Sequence, residues 1–154
     1  MLGGTTTPRH YQAQVAVRGA RPGNDTREWS IVFESTKAFS GFSVDDIASA
    51  KKFYGETLGL RVSEGNGLLT LHIAGDRDTL IYPKEHHTPA TFTILNFPVD
   101  DIDLAAEELE ARGIEFERYE GMVQDENGVF RGGGPLIAWF KDPAGNILSI
   151  LQQS

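Results

Sequence analysis

The sequence contains no cysteine, which excludes disulfide scaffolds, thiolate metal sites and cysteine nucleophiles. It also lacks any apolar run near the roughly 20 residues that a membrane-spanning helix needs. Positive charge is scarce: 14 Lys and Arg stand against 22 Asp and Glu, for a net charge of −8. Polyanions such as nucleic acid, and anionic membrane surfaces, are therefore poor partners. The opening MLGGTTTPRHYQAQ has neither the early basic cluster nor the apolar core of a secretory signal, so a cytoplasmic location is the expectation. What is present suits a folded protein, with 40% hydrophobic residues and a mean hydropathy of −0.28. At 154 residues the chain fits one compact domain or two small fused halves. A domain of this size buries roughly 68–70% of its unfolded surface and needs no covalent staples.

The chain divides by charge. Residues 1–37 carry Arg9, Arg18, Arg21, Arg27 and Lys37 against Asp25, Glu28 and Glu34, a surplus of two positive charges, which leaves −10 for the other 117 residues. Within this lead, residues 19–25 (GARPGND) read as turn and linker chemistry. Trp29, Ile31 and Phe33 alternate onto one face, which marks 29–34 as a candidate edge strand. Residues 1–37 are thus expected to form an N-terminal extension, mobile through residue 27.

The acidic body repeats itself. Phe42-Ser43-Val44-Asp45-Asp46-Ile47 returns as Phe97-Pro98-Val99-Asp100-Asp101-Ile102, 55 residues later, and Leu58-Gly59-Leu60 is matched by Arg112-Gly113-Ile114 at an offset of 54. Recurrence of a whole strand–helix–strand pattern points to two similar halves. In the first, a strand over 39–44 leads to a helix opened by Asp45 and Asp46. Ile47, Ala50, Tyr54 and Leu58 form its apolar stripe, and Gly59 supplies the left-handed C-terminal position. Strands follow over 61–64, 68–74 and 79–82. In the second, a strand over 91–99 precedes a helix over 101–112, with a Glu108–Arg112 pair one turn apart, and strands are expected near 114–119, 136–141 and 146–151. Asp142-Pro143-Ala144-Gly145-Asn146 is the closing hairpin turn. The order is βαβββ, twice.

These features resemble the vicinal oxygen chelate superfamily, which includes glyoxalase I, extradiol dioxygenases, fosfomycin-resistance enzymes and bleomycin-resistance proteins. The resemblance rests on the duplicated VDDI, on FYGETLGL (53–60) and on KDPAGNILSIL (141–151), and covers about residues 38–152. It implies an α+β fold in which two tandem βαβββ modules, 38–84 and 91–152 joined by a linker at 85–90, make a half-open barrel around a central cleft, often completed in a homodimer. It also implies where a metal would sit. The position five residues before each repeated Val is Phe39 in the first half and Ile94 in the second, and the closing-strand position is Ser149. The matching strand of the first half, residues 79–82, holds no carboxylate or imidazole. None of these side chains suits a divalent cation, so no metal and no other cofactor is expected.

Other chemistry-bearing residues have plainer readings. His10 lies in the N-terminal lead, while His86 and His87 are adjacent in the linker and read as a solvated hinge. His72 alternates against Leu69, Leu71 and Ile73, so it faces away from them. The Asp pairs fit helix caps, each contributing about 1 kcal/mol. Arg131-Gly132-Gly133-Gly134-Pro135 lacks the ending of a phosphate-binding loop and reads as a loop over the cleft.

Strand alternation assigns the lining of the cleft. In the first strand Ser40, Phe42 and Val44 face the helix and Phe39, Gly41 and Ser43 the cavity. In the second half Phe92, Ile94, Asn96 and Pro98, then Ile147, Ser149 and Leu151, face inward. With Tyr82, Trp139 and His72, the candidate ligand-binding set is Phe39, Ser43, His72, Tyr82, Phe92, Asn96, Trp139 and Ser149. A cup of aromatic and aliphatic side chains with isolated polar groups resembles a small-molecule pocket, though the same side chains could fill a closed core. The leading expectation is metal-independent binding of a small, partly apolar organic molecule, of the sequestration or resistance type. The alternatives are a lyase or isomerase using His72 or Tyr82 as acid/base groups, and a non-catalytic interaction module.

Overall fold

The computed structural model describes Phe33 and residues 36–153. The expected strand at 29–34 and the N-terminal extension lie outside the described residues, apart from Phe33, an exposed turn residue, and residues 36–37. The body, from Lys37 onward, is a compact unit. Its elements run β1 (Ser40–Val44), α1 (Ile47–Lys52), β2 (Arg61–Gly65), β3 (Leu68–His72), β4 (Thr79–Pro83), β5 (Thr93–Pro98), α2 (Ile102–Ala111), β6 (Leu136–Lys141) and β7 (Ile147–Gln152).

The two halves build sheets on one plan. The first is ordered β1-β4-β3-β2 and the second β5-β7-β6. In each, the strand before the helix pairs in parallel with the last strand of its half, β1 with β4 and β5 with β7. The repeated Asp residues explain the common entry. Asp46 accepts a hydrogen bond from the amide of Ser49, and Asp101 accepts from Asp103 and Leu104, so each caps its helix. Gly59 and Gly113 occupy positive φ (72° and 85°) just past the two helices, the conformation that favours glycine there.

Three expectations are corrected. The first helix is not uniformly α-helical: after Lys52 it widens into a π-helical turn over Phe53–Thr57, closed by Leu58 N–H donating to the Phe53 carbonyl. The wider winding lets neighbouring Phe53 and Tyr54 both be buried, edge to face at 5.1 Å, which a 3.6-residue stripe does not anticipate. The strand expected near 114–119 is reduced to a single bridge, Phe116 to Phe140. The chain beyond it is held by its own side chains instead. Gln124 donates to the carbonyls of Glu117 and Gly128 and accepts from Tyr119 N–H, while Asp125 accepts from the amides of Asn127 and Val129. The Gln124 bonds to Glu117 and Tyr119 satisfy backbone groups that a longer strand would have paired with β6.

One core joins the halves, with Val44, Tyr54, Leu69, Leu71 and Ile81 in the same buried cluster as Ile102, Ala106, Phe140, Leu148 and Ile150. The expected Glu108–Arg112 pair gives way to a contact across the halves: Arg112 Nη1 donates to the carbonyl of Thr57 at 3.0 Å, a group at the end of the π-helical turn. Among the described residues no helix is long and apolar enough to cross a membrane.

Candidate functional site

Each sheet turns one face to the helices and carries the expected cleft-lining residues on the other. In the first sheet Phe42, Ile81 and Leu69 share a row on the helix side, Phe42 packing on Tyr54 at 5.9 Å. Gly41 with Leu80, and Ser43 with Tyr82, make rows on the opposite side. In the second sheet Phe97, Ile150 and Ala138 share a row on the core side, and Asn96, Ser149 and Trp139 the next row, on the other face.

The seam between β1 and β5 is hollow. One cavity of about 780 Å³ is lined by Phe39, Leu60, Ile73, Ile94, Asn96 and Phe97 among others, with Asp76, Arg77 and Asp78 at its edge. A second, of about 290 Å³, is lined by Gly41, Ser43, Phe92, Thr93 and Asn146. They adjoin, sharing Ser40 and Ile94. Phe39 and Phe92, 72% and 69% exposed, stand beside this seam as uncovered aromatic surface.

The structure thus brings Phe39 and Asn96 to the larger cavity and Ser43 and Phe92 to the smaller. Ser149 does not line either; fully buried, it donates its hydroxyl to Asn96 Oδ1 at 2.7 Å and fixes the amide beside it. Trp139 is one strand further along the row, packed edge to face on Tyr119 at 5.5 Å. Tyr82, paired with Ser43, is 39% exposed on the free face. His72 lines neither cavity; it sits in a hydrogen-bonded chain with Ser63 and with Asp78, which is at the edge of the larger one. Simple alternation in β5 is interrupted by a register shift between Thr93 and Leu95, which sets Thr93 opposite Ile147. Such an irregularity re-aims side chains, and it is why Phe92 and Asn96 serve different cavities.

Sequence reasoning missed three features. The turn Asp76-Arg77-Asp78 reaches the larger cavity although no local pattern marks it. Asn146, read only as a turn residue, lines the smaller one while donating through Nδ2 to Asp142 and to the Ser43 carbonyl. His87 is no solvated hinge: its ring is partly buried, with Nδ1 2.9 Å from Ser43 Oγ and Nε2 3.1 Å from the carbonyl of Ala144. It ties β1 to the β6–β7 turn.

The family model of the Glyoxalase/Bleomycin resistance protein/Dioxygenase superfamily matches residues 38–150. The chain belongs to this superfamily. No curated protein matches the sequence. Among solved structures, TnmS3, an antibiotic binding protein from Streptomyces sp. CB03234, is 25% identical, with 78% of this chain and 98% of that chain covered and a TM-score of 0.56. A glyoxalase family protein from Enterococcus faecalis is 22% identical over 77% of this chain and 98% of its own, with a TM-score of 0.57. The fosfomycin resistance protein FosX from Listeria monocytogenes is 15% identical over 78% and 94%, with a TM-score of 0.58. The last two likenesses are of fold.

Members of the glyoxalase superfamily are typified by a metal between the modules, and the donor set here does not fit one. Phe39 and Ile94 present hydrocarbon to the larger cavity, and the Ser149 hydroxyl is buried and spent on Asn96. Hard divalent ions need several oxygen or imidazole donors converging on one point, and among the described residues no group of three or more His, Asp or Glu does so.

Proposed function

We propose that the chain is a metal-independent member of the glyoxalase superfamily that binds a small, partly apolar organic molecule in the seam between β1 and β5, in the manner of a sequestration or resistance protein. The binding domain spans 38–152, as modules 38–84 and 91–152 with a linker at 85–90. The observation that carries this reading is the replacement of donors by apolar surface: Phe39 and Ile94 line a cavity of about 780 Å³ with Leu60 and Ile73. A few fixed polar groups in an apolar cleft are what orients a small ligand, and Asn96, held by Ser149, is such a group. The likeness to an antibiotic binding protein supports binding without chemistry. A net charge of −8 favours neutral or cationic ligands and speaks against nucleic acid and membranes as partners. The exposed Phe39, Phe92 and Tyr82 support a homodimer that covers them; a cytoplasmic location is part of the same proposal.

Thermal-shift screening with aromatic and cationic compounds, followed by calorimetry, tests the proposal. A ligand at 100 times its dissociation constant stabilises by about 2.7 kcal/mol. Binding should survive chelation and weaken in an Ile94→Asp variant. A tightly held equimolar metal required for binding would overturn it. The hydrogen-bonded His72 favours a second reading, a lyase or isomerase using His72 or Tyr82 as acid/base groups, for which turnover lost in His72→Ala is the test.

A further inference from the structure

The free face of the first sheet carries a second constellation, which meets the larger cavity only at Asp78. Asp78, just before β4, places both carboxylate oxygens 3.2 Å from Nδ1 of His72 on β3, and Nε2 of the same ring lies 2.8 Å from Oγ of Ser63 on β2. A carboxylate on Nδ1 selects the tautomer with the proton there and leaves Nε2 to accept from the serine hydroxyl. Carboxylate, imidazole and hydroxyl in this order make the arrangement by which a serine oxygen is activated, and geometry rather than chain position defines it. We propose that Ser63, His72 and Asp78 form a nucleophilic site that takes small activated esters by acyl transfer.

The surroundings fit that chemistry. Ser63 is exposed on an edge strand, so its oxygen is open to a substrate, while the His72 side chain is only 23% exposed and is held from both ends. Arg61 lies directly opposite His72 in the β2–β3 register and two residues before Ser63, which places a cation on the same face for the oxyanion that develops. In the reaction Ser63 Oγ bonds to the ester carbonyl carbon as its proton passes to His72 Nε2. The carbon–oxygen bond to the alcohol then breaks, and the departing alkoxide takes that proton. Water then bonds to the acyl carbon as its proton passes to His72, and the bond from that carbon to Ser63 Oγ breaks, the serine oxygen taking the proton from His72 as the acid leaves. Asp78 touches no substrate and acts as a positioning residue. The chain contains an internal comparison, since Ser43 also meets an imidazole, His87, at 2.9 Å, but that ring is backed by a carbonyl and not by a carboxylate.

The test is labelling of the full chain by an alkyl fluorophosphonate, in which Ser63 Oγ bonds to phosphorus, fluoride leaves and the proton passes to His72. Intact mass spectrometry should show one adduct per chain, mapped to Ser63. Ser63→Ala should abolish it, and His72→Gln should slow it at least tenfold. Asp78→Asn should slow it with partial rescue by Asp78→Glu, a pattern that a merely structural aspartate would not give. Hydrolysis of p-nitrophenyl acetate should follow the same order. Unchanged melting temperatures of these surface variants would exclude unfolding as the cause. No adduct, an adduct on Ser43, or equal labelling in His72→Gln would each overturn the proposal; ligand binding in the seam is read separately, by calorimetry on Ser63→Ala, which lines neither cavity.

Discussion

The phenolic oxygen of Tyr54, in the first half, lies 2.8 Å from Asp142 Oδ2, in the second, and both residues are buried. Asn146 donates to the same carboxylate through Nδ2 and through its backbone amide, so three donors converge on one buried charge and join the two halves. Removing a partner from such a group leaves it unsatisfied. Tyr54→Phe should therefore destabilise the protein by about 1–3 kcal/mol, measured by urea unfolding. Burial, then the charge and hydrogen bond of Asp142, raise the tyrosine pKa well above its ordinary value of 10.0. The raised value means the unfolded chain releases this proton first. The stabilisation is whole below about pH 10 and is lost as pH rises further, by up to about 1.4 kcal/mol per pH unit. Tyr54→Phe should flatten that alkaline loss.

Ser149 acts on the cavity through Asn96. Ser149→Ala should cost about 1 kcal/mol of stability and, by freeing the Asn96 amide to turn, weaken any ligand that Asn96 orients by about tenfold, near 1.4 kcal/mol. Calorimetry on the wild type and the variant with one screening hit checks this. An unchanged dissociation constant would remove Asn96 from the site.

The adjacent histidines of the linker should behave in opposite ways. His87→Ala removes both the Ser43 and the Ala144 contacts and should cost about 1–2 kcal/mol. His86 is exposed with φ of 57°, so His86→Gly relieves a left-handed conformation and should be neutral or stabilising by a few tenths of a kcal/mol. Paired thermal melts distinguish them.

The segment after α2 should loosen in acid. Partial burial works against ionisation of Asp125, but hydrogen bonds from Arg131 and from the amides of Val129 and Asn127 outweigh it and hold the carboxyl below 3.8. A lowered pKa in the folded state means that the stabilisation is present above about pH 4 and lost as pH falls through the folded value. Amide exchange at Asn127 and Val129, corrected for its intrinsic pH dependence, should accelerate there, and Asp125→Ala should reproduce the effect at neutral pH.

How far the sequence reached depends on the range of the forces involved. β6 was legible to the residue, because Leu136–Lys141 is a short apolar run between turn residues. The capping roles of Asp46 and Asp101 were legible because a cap is settled within three residues. The strand at 114–119 was not, since backbone groups of Glu117 and Tyr119 are taken by Gln124, whose competing bonds no periodicity reveals. Within the candidate site, Ser43 and Asn96 followed from alternation, while the separation of Phe92 from Asn96 required the irregularity at Thr93 and Leu95.

Local pattern alone therefore determined the two strand–helix segments, the two helix starts and their glycine ends. These depend on neighbours within a turn or a pleat, which the order of residues states directly. Only the tertiary structure decided that Tyr54 meets Asp142 across 88 positions, that Asp76 and Asp78 reach the larger cavity, and that Ser63 and Asp78 flank His72. Such contacts follow from how sheets twist and edges meet, a sum over many weak packing terms that no short stretch of sequence contains.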